Sequence, residues 1–298
     1  MQSAAASNSS LRGSVTRRFK RSGFGLLSPA LLVLLLIFFA PLALLLPTSL
    51  HPYIPGTGIG SNWTFENFSR VLTDSFYLEI IGRTLMLGLV VVAITLLFGY
   101  PLAYFLARTR SRLRPWLIIL VVFPLLLNLV VRSFGWIVLL ANRGLINDGL
   151  IALGIIEKPL KLLFNFTGLL IGLSHIFLPF MVLMLLGAIQ NIPRDTEDAA
   201  RTLGASPLTV FRKITLPLSL PGILSGGILV FVLTISALVT PRLLGGPTYQ
   251  VMSTLIFDEF LKLLNWPRGA AMAYVLTVIV LLLVWAASRL AKRLGEFR

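Results

Sequence analysis

Apolar residues run along this chain in long charge-free stretches rather than in short alternating ones. One stretch lies between Arg21 and His51 and a second between Arg83 and Arg108. A third starts after Arg114 and holds Arg132 near its far end. The fourth lies between Lys161 and Arg194, the fifth between Lys213 and Arg242, and the sixth between Arg268 and Arg289. About 20 apolar residues cross the roughly 30 Å hydrocarbon core of a bilayer as a helix, so the pattern predicts six transmembrane helices. A membrane barrel would show segments of alternating polarity instead. The expected fold is all-α, a polytopic membrane helical bundle.

Composition agrees. Of 298 residues, 56% are hydrophobic and 12% charged, with a mean hydropathy of +0.90. An ordinary soluble domain is about 25% charged, so a soluble enzyme is excluded. The absence of cysteine removes disulfides, thiolate metal sites and a cysteine nucleophile.

The net charge of +15 is distributed unevenly. With the N-terminus inside, the inner segments hold seventeen Lys and Arg and four acids, while the outer loops hold seven of each. Positive charge near span ends is retained on the cytoplasmic side, so both termini of a multi-pass membrane protein are expected in the cytoplasm. The excess charge then meets anionic lipid, and nucleic acid is excluded as a partner. Residues 1–23 are expected to form a basic cytoplasmic tail, 24–291 the six-span domain and 292–298 a second tail. Arg17-Arg18 hints at an export signal, but the apolar run from Phe24 to Pro47 is longer than a signal-peptide core and is expected to be retained.

The loop after span four is the informative one, reading NIPRDTEDAARTLGASPLTVFRKITLPLSLPG over residues 191–222. It predicts helix, turn, helix. Pro193 with Asp195 or Thr196 suits a helix start, Gly204 a left-handed helix end, Ser206 a cap and Pro207 a first turn. Ala199, Ala200 and Leu203 share one apolar face, and Leu208, Phe211 and Ile214 another.

Asp198-Ala199-Ala200, Gly204 six positions after Asp198, Ile214 and Leu216-Pro217 together resemble the EAA loop of ABC-transporter permeases of the binding-protein-dependent importers. NRGLINDGL, LPFMVL, VTPRLLGGP and NWPRGAA resemble the spermidine/putrescine-type permeases within that family. The resemblance implies a type I importer permease that passes a small organic solute, a polyamine above all, by alternating access. It implies a second permease subunit, two ATPase copies and an extracytoplasmic solute-binding protein. ATP and Mg would reside on the ATPase, with no cofactor on this chain. The loop 191–217 would couple to the ATPase, with either Glu197 or Asp198 as the contacting acid, Ala199 and Ala200 as close-packed positions and Gly204 as the turn. Ile214, Leu216 and Pro217 complete the coupling set.

Other features delimit the function. No G-x-x-x-x-G-K-[ST] phosphate loop is present, so ATP hydrolysis is expected on another chain. Two histidines give no basis for a metal site. Arg132 and His175 are the candidate pathway residues, although an arginine near the interface also snorkels and a lone histidine also bonds a neighbouring helix. No carboxylate lies within the expected spans, which argues against the alternative of an ion-coupled secondary transporter acting alone. Gly222 and Gly226 stand at GxxxG spacing for close helix approach. Segment 142–165 is expected to lie outside as a short helix, and the resemblance implies that outer loops like it face the binding protein.

Overall fold

The computed structural model describes residues 28–296, with side chains through Arg289. The basic tail 1–23, Phe24 and Arg298 lie outside the described residues, as do the side chains of Lys292 and Arg293. Helix α1 covers Ser28–Ser49 and leads into a hairpin of β1 (Tyr53–Ile54) and β2 (Gly58–Ile59), paired antiparallel with Tyr53 opposite Ile59. Short α2 (Glu66–Thr73) precedes α3 (Ser75–Arg108), whose first turn is capped by Asp74 accepting from the Phe76 N–H at 2.9 Å. The chain continues through α4 (Arg114–Leu126), α5 (Leu129–Leu140), α6 (Leu145–Ala152) and α7 (Phe166–Gln190). Then come α8 (Arg194–Thr202), α9 (Pro207–Val210), a π-helical turn at Phe211–Thr215 and α10 (Leu216–Leu218). After α11 (Leu220–Ser236) and a second π-turn at Pro241–Gly245, α12 (Met252–Leu261) and α13 (Trp266–Glu296) close the bundle.

Among the described residues, five helical stretches are long and apolar enough to cross a membrane, and a sixth is added by counting a bent pair as one span. The bent pair is the fifth expected span, Pro207–Leu218 with Leu220–Ser236, turned by 61°. The third expected span differs from the prediction. It breaks at Leu127 and Asn128, where the backbone is extended and the Asn128 side chain accepts from the Val130 N–H at 2.8 Å. Arg132 therefore stands in the first turn of α5, at the start of the apolar stretch Leu129–Ala152, rather than near the end of one helix. Helix α3 also begins before Arg83, because Glu79 and Arg83, four residues apart, pair on its exposed side.

Helices α3, α7 and α11 pack on one another around Leu87, Leu173, Met181 and Val230. Small residues permit the closest approach. A Cβ at Gly222 would strike Ala188 and one at Gly226 would meet Met181 and Met184, so the GxxxG face of α11 is used inside this chain against α7. A second core joins the N-terminal end of α3 to α2, α12 and α13 through Val71, Tyr77, Met252 and Met272. Helix α1 is exposed along most of its apolar length and none of its apolar span is buried, as suits a helix whose solvent is lipid.

Candidate functional site

The loop read as a coupling element is built on the end of α3. The last carbonyls of a helix have no partner within it, and here Arg194 supplies one, its Nη2 donating to the Ala107 and Arg108 carbonyls at 3.3 and 3.2 Å. Arg108 answers in the opposite direction. Its Nη1 donates to the Ile192 carbonyl at 3.2 Å and its Nη2 to Glu197 Oε1 at 2.7 Å. The same Glu197 oxygen accepts from the Thr215 hydroxyl at 2.8 Å. Glu197 is 3% exposed, so it is a buried carboxylate held by a cation and a hydroxyl. Removing either partner of such a pair leaves an uncompensated charge, at a cost of about 3–5 kcal/mol.

About two turns deeper along α3, the Tyr100 and Ser219 hydroxyls are hydrogen-bonded at 2.7 Å, and the Phe211 ring stands edge-on to Tyr100 and Tyr104 at 5.5 and 6.0 Å. These contacts tie the π-turn to α3. The expected second amphipathic helix is thereby reshaped: Leu208 is exposed, Phe211 lies against the tyrosines, and Ile214, Leu216 and Pro217 are half-buried in the bend. A π-turn places one extra residue in the helical cycle, so the 3.6-residue spacing of Leu208, Phe211 and Ile214 does not yield a single face.

Between the two segments the chain turns as predicted. Gly204 adopts φ +83°, its N–H donates to the Arg201 carbonyl at 2.9 Å, and the Ala205 N–H reaches the Ala200 carbonyl at 3.0 Å. This is the Schellman arrangement that a glycine favours. Ser206 Oγ accepts from the Thr209 N–H at 3.3 Å and Pro207 opens α9.

The two acids that the sequence left as alternatives point opposite ways. Glu197 faces the bundle. The Asp198 side chain is 63% exposed and pairs only loosely with Arg201 at 3.7 Å, an exposed contact of little energetic weight. Ala199 is exposed beside it, Ala200 is half-buried, and Leu203 is 89% exposed. The outward side of α8 and its C-cap thus presents an acid, an alanine and a leucine, all exposed, with Asp198 paired only to Arg201 of the same helix, while the other side is fixed. Arg108, Arg194 and Thr215 were not legible as members of this site. Arg108 ends an apolar stretch and so reads as a topology charge, and its partner Glu197 is 89 positions away.

Arg132 and His175 fall on neighbouring helices, α5 and α7. The Trp136 indole N–H donates to His175 Nδ1 at 3.1 Å, with the two rings edge-to-face at 5.3 Å. An indole N–H is donor only, so Nδ1 is the unprotonated nitrogen. Arg132 Nε and Nη1 are shielded and make no hydrogen bond among the described residues. On the opposite end of the bundle, α6 forms within 142–165 as expected, and buried Asn147 binds the Ala141 and Leu160 carbonyls and the Leu160 N–H at 3.0, 3.0 and 2.8 Å. No group of three or more potential metal ligands comes together among the described residues.

Comparison with known proteins follows the same lines. Residues 95–296 match the family described as binding-protein-dependent transport system inner membrane component. The spermidine/putrescine transport system permease protein PotB of Escherichia coli K12 is 34% identical over 266 residues, covering 88% of this chain and 96% of that one. PotB of Haemophilus influenzae is 35% identical over 242 residues, covering 80% and 84%. Among solved structures, a bacterial alginate ABC transporter bound to its alginate-loaded periplasmic protein aligns with TM-score 0.74 at 21% identity, over 93% of this chain and 96% of that one. The MetNI methionine ABC transporter in an inward-facing form aligns with TM-score 0.58 at 17% identity, over 73% and 95%. Six-span hydropathy, a fixed helix-turn-helix between spans four and five, and a family match that contains this loop converge: the chain belongs to the binding-protein-dependent transport system inner membrane components, as a multi-pass permease subunit.

Proposed function

We propose that this permease imports a polyamine such as spermidine or putrescine, with α8 as the helix that receives the stroke of a cytoplasmic ATPase. The observation that carries the reading is the two-sidedness of α8. Its inner side is fixed to α3 by Arg108–Glu197 and Arg194, while Asp198, Ala199 and Leu203 stand exposed on the other side. Small and apolar side chains let a partner's surface approach closely, and a rigid support turns that contact into movement of the spans. The identity with PotB over nearly its whole length supports the substrate. In this reading both termini are cytoplasmic. The complex contains a second permease, two ATPase copies that carry ATP and Mg, and an extracytoplasmic binding protein.

Purification of the tagged chain from its native membrane in mild detergent, followed by uptake of labelled spermidine into vesicles with ATP inside, tests it. The expected result is co-purification of a P-loop ATPase and a second permease, with uptake that requires ATP and is lost in Leu203→Asp. Recovery of the chain alone, with uptake driven by an ion gradient, would overturn the reading.

A further inference from the structure

The chain connects α8 directly to α7 and, through the Gly204 turn, to the bent fifth span. Covalent continuity alone would therefore send any push on α8 into α7 and α11. The side chains add a third recipient. Glu197 Oε1 holds Arg108 Nη2 at 2.7 Å and the Thr215 hydroxyl at 2.8 Å, and the ion pair is almost fully buried, at 14% and 4% side-chain exposure. Arg194 returns to the α3 carbonyls from the first turn of α8. Five hydrogen bonds thus join α8, its two flanking segments and α3. A charged pair in this setting resists being pulled apart far more than an exposed one, because each half would be left buried and unpaired.

Helix α3 then reaches the other end of the bundle. Its 34 residues span roughly 51 Å. There Thr84 Oγ1 accepts from the Met252 N–H at 2.9 Å, and Arg268 donates to the Tyr77 hydroxyl at 3.5 Å and to Glu259 at 3.4 Å. Both ends of one helix are therefore fastened, the inner end to α8 and the outer end to α12 and α13.

We propose that Arg108, Glu197 and Thr215 form a clamp that makes α8 and α3 a single moving body, so that α3 carries the ATPase stroke to the outer segment around α12. The three are positioning residues, and the proposal rests on α8 being the ATPase-facing helix.

The chain has no cysteine, so in a complex whose partner subunits are made cysteine-free, a spin label at each of Thr202 and Phe105, both exposed, reports the α8–α3 distance. In the assembled complex that distance is expected to stay constant between ATP-free and ATP-trapped states. Glu197→Ala is expected to broaden it and to lower spermidine uptake about tenfold or more, within the about 5–150-fold range of a typical coupling free energy. Assembly and ATP hydrolysis should persist, and the exchanged pair Arg108→Glu with Glu197→Arg should restore much of the uptake.

Normal uptake and an unbroadened distance in Glu197→Ala, alongside loss of uptake in Leu203→Asp, would overturn the clamp and leave the coupling assignment standing. Normal uptake in Leu203→Asp would remove the coupling assignment and the clamp with it. Should Glu197→Ala fail to assemble, the labelled and otherwise unaltered complex decides: an α8–α3 distance that shifts on ATP binding refutes a single body.

Discussion

The α7–α11 contact can be tested by a graded series at three glycines of α11. At Gly222 an added Cβ would collide with the Ala188 Cβ and lie 3.2 Å from the Met184 carbonyl oxygen. Neither neighbour can move without moving α7. At Gly226 the neighbours are Met181 Sδ at 2.9 Å, which can swing away, and Met184 Cβ at 3.2 Å, which cannot. At Gly227 the neighbour is Val92 Cγ1 at 3.5 Å, an ordinary contact. Opposing any collision is the gain of about 1 kcal/mol when alanine replaces glycine within a helix. Overpacking costs about 1–3 kcal/mol. Gly227→Ala is therefore expected to stabilise by up to about 1 kcal/mol. Gly226→Ala is expected to be close to neutral, and Gly222→Ala, with its overpacking at the upper end of that range, to destabilise by up to about 2 kcal/mol after the helical gain is subtracted. Thermal and denaturant unfolding of each purified single variant, followed by tryptophan fluorescence and by circular dichroism, gives the order. Gly222→Ala at or above wild-type stability would refute the interlocked geometry, and so would Gly227→Ala as the least stable of the three.

Three further outcomes are expected. Gly204 has open space around its would-be Cβ, so replacing it costs backbone strain alone, about 1–2 kcal/mol for an ordinary residue in the left-handed region; Gly204→Asn should transport nearly as well as wild type and Gly204→Val much less, and equal uptake in the two would remove the need for the turn. Asn147→Ala forfeits three part-buried hydrogen bonds worth about 1 kcal/mol each, so amide exchange over 141–160 should accelerate, and an unchanged exchange profile would contradict the stapled loop. Burial pushes the Glu259 carboxyl above the usual carboxylate range, with the Arg268 guanidinium pulling the other way. Its contribution to stability is then fully present below the ordinary carboxylate pKa and is lost as pH rises through the elevated value. Unfolding followed from pH 4 to pH 8 should show this decline in the wild type and a flatter profile in Glu259→Gln, and parallel profiles would count against the shift.

Much of the membrane architecture is legible because bilayer thickness imposes a length on every crossing, and charges such as Arg108 and Arg194 mark where crossings stop. The Gly204 turn and the Ser206 cap are legible for a different reason: both are local, set within a few residues by backbone conformation and one side chain. The break at Leu127 and Asn128 escapes, because asparagine interrupts an apolar run without adding charge. The π-turn at Phe211–Thr215 escapes because it changes the helical period that the reading assumes. The inward turn of Glu197 was hidden most completely. A glutamate in a polar, amphipathic helix is ordinarily solvated, and only the fold brings Arg108 to it.

The placement of α1 has a consequence for biosynthesis. Contacts reach it and the hairpin from segments synthesised much later, with the Tyr274 hydroxyl on the Leu42 carbonyl and the Tyr53 hydroxyl on the Leu263 carbonyl at 3.3 Å. Those partners are separated by 232 and 210 positions. At a translation rate of about 5–20 residues per second, α1 is synthesised roughly 10–45 s before they exist. During that interval it must be stable as a lone helix in lipid. A stripe of polar residues reserved for later packing would be a liability, and α1 has the highest mean hydropathy of the five unbroken spans among the described residues, 2.8, with exposed apolar residues along most of its length.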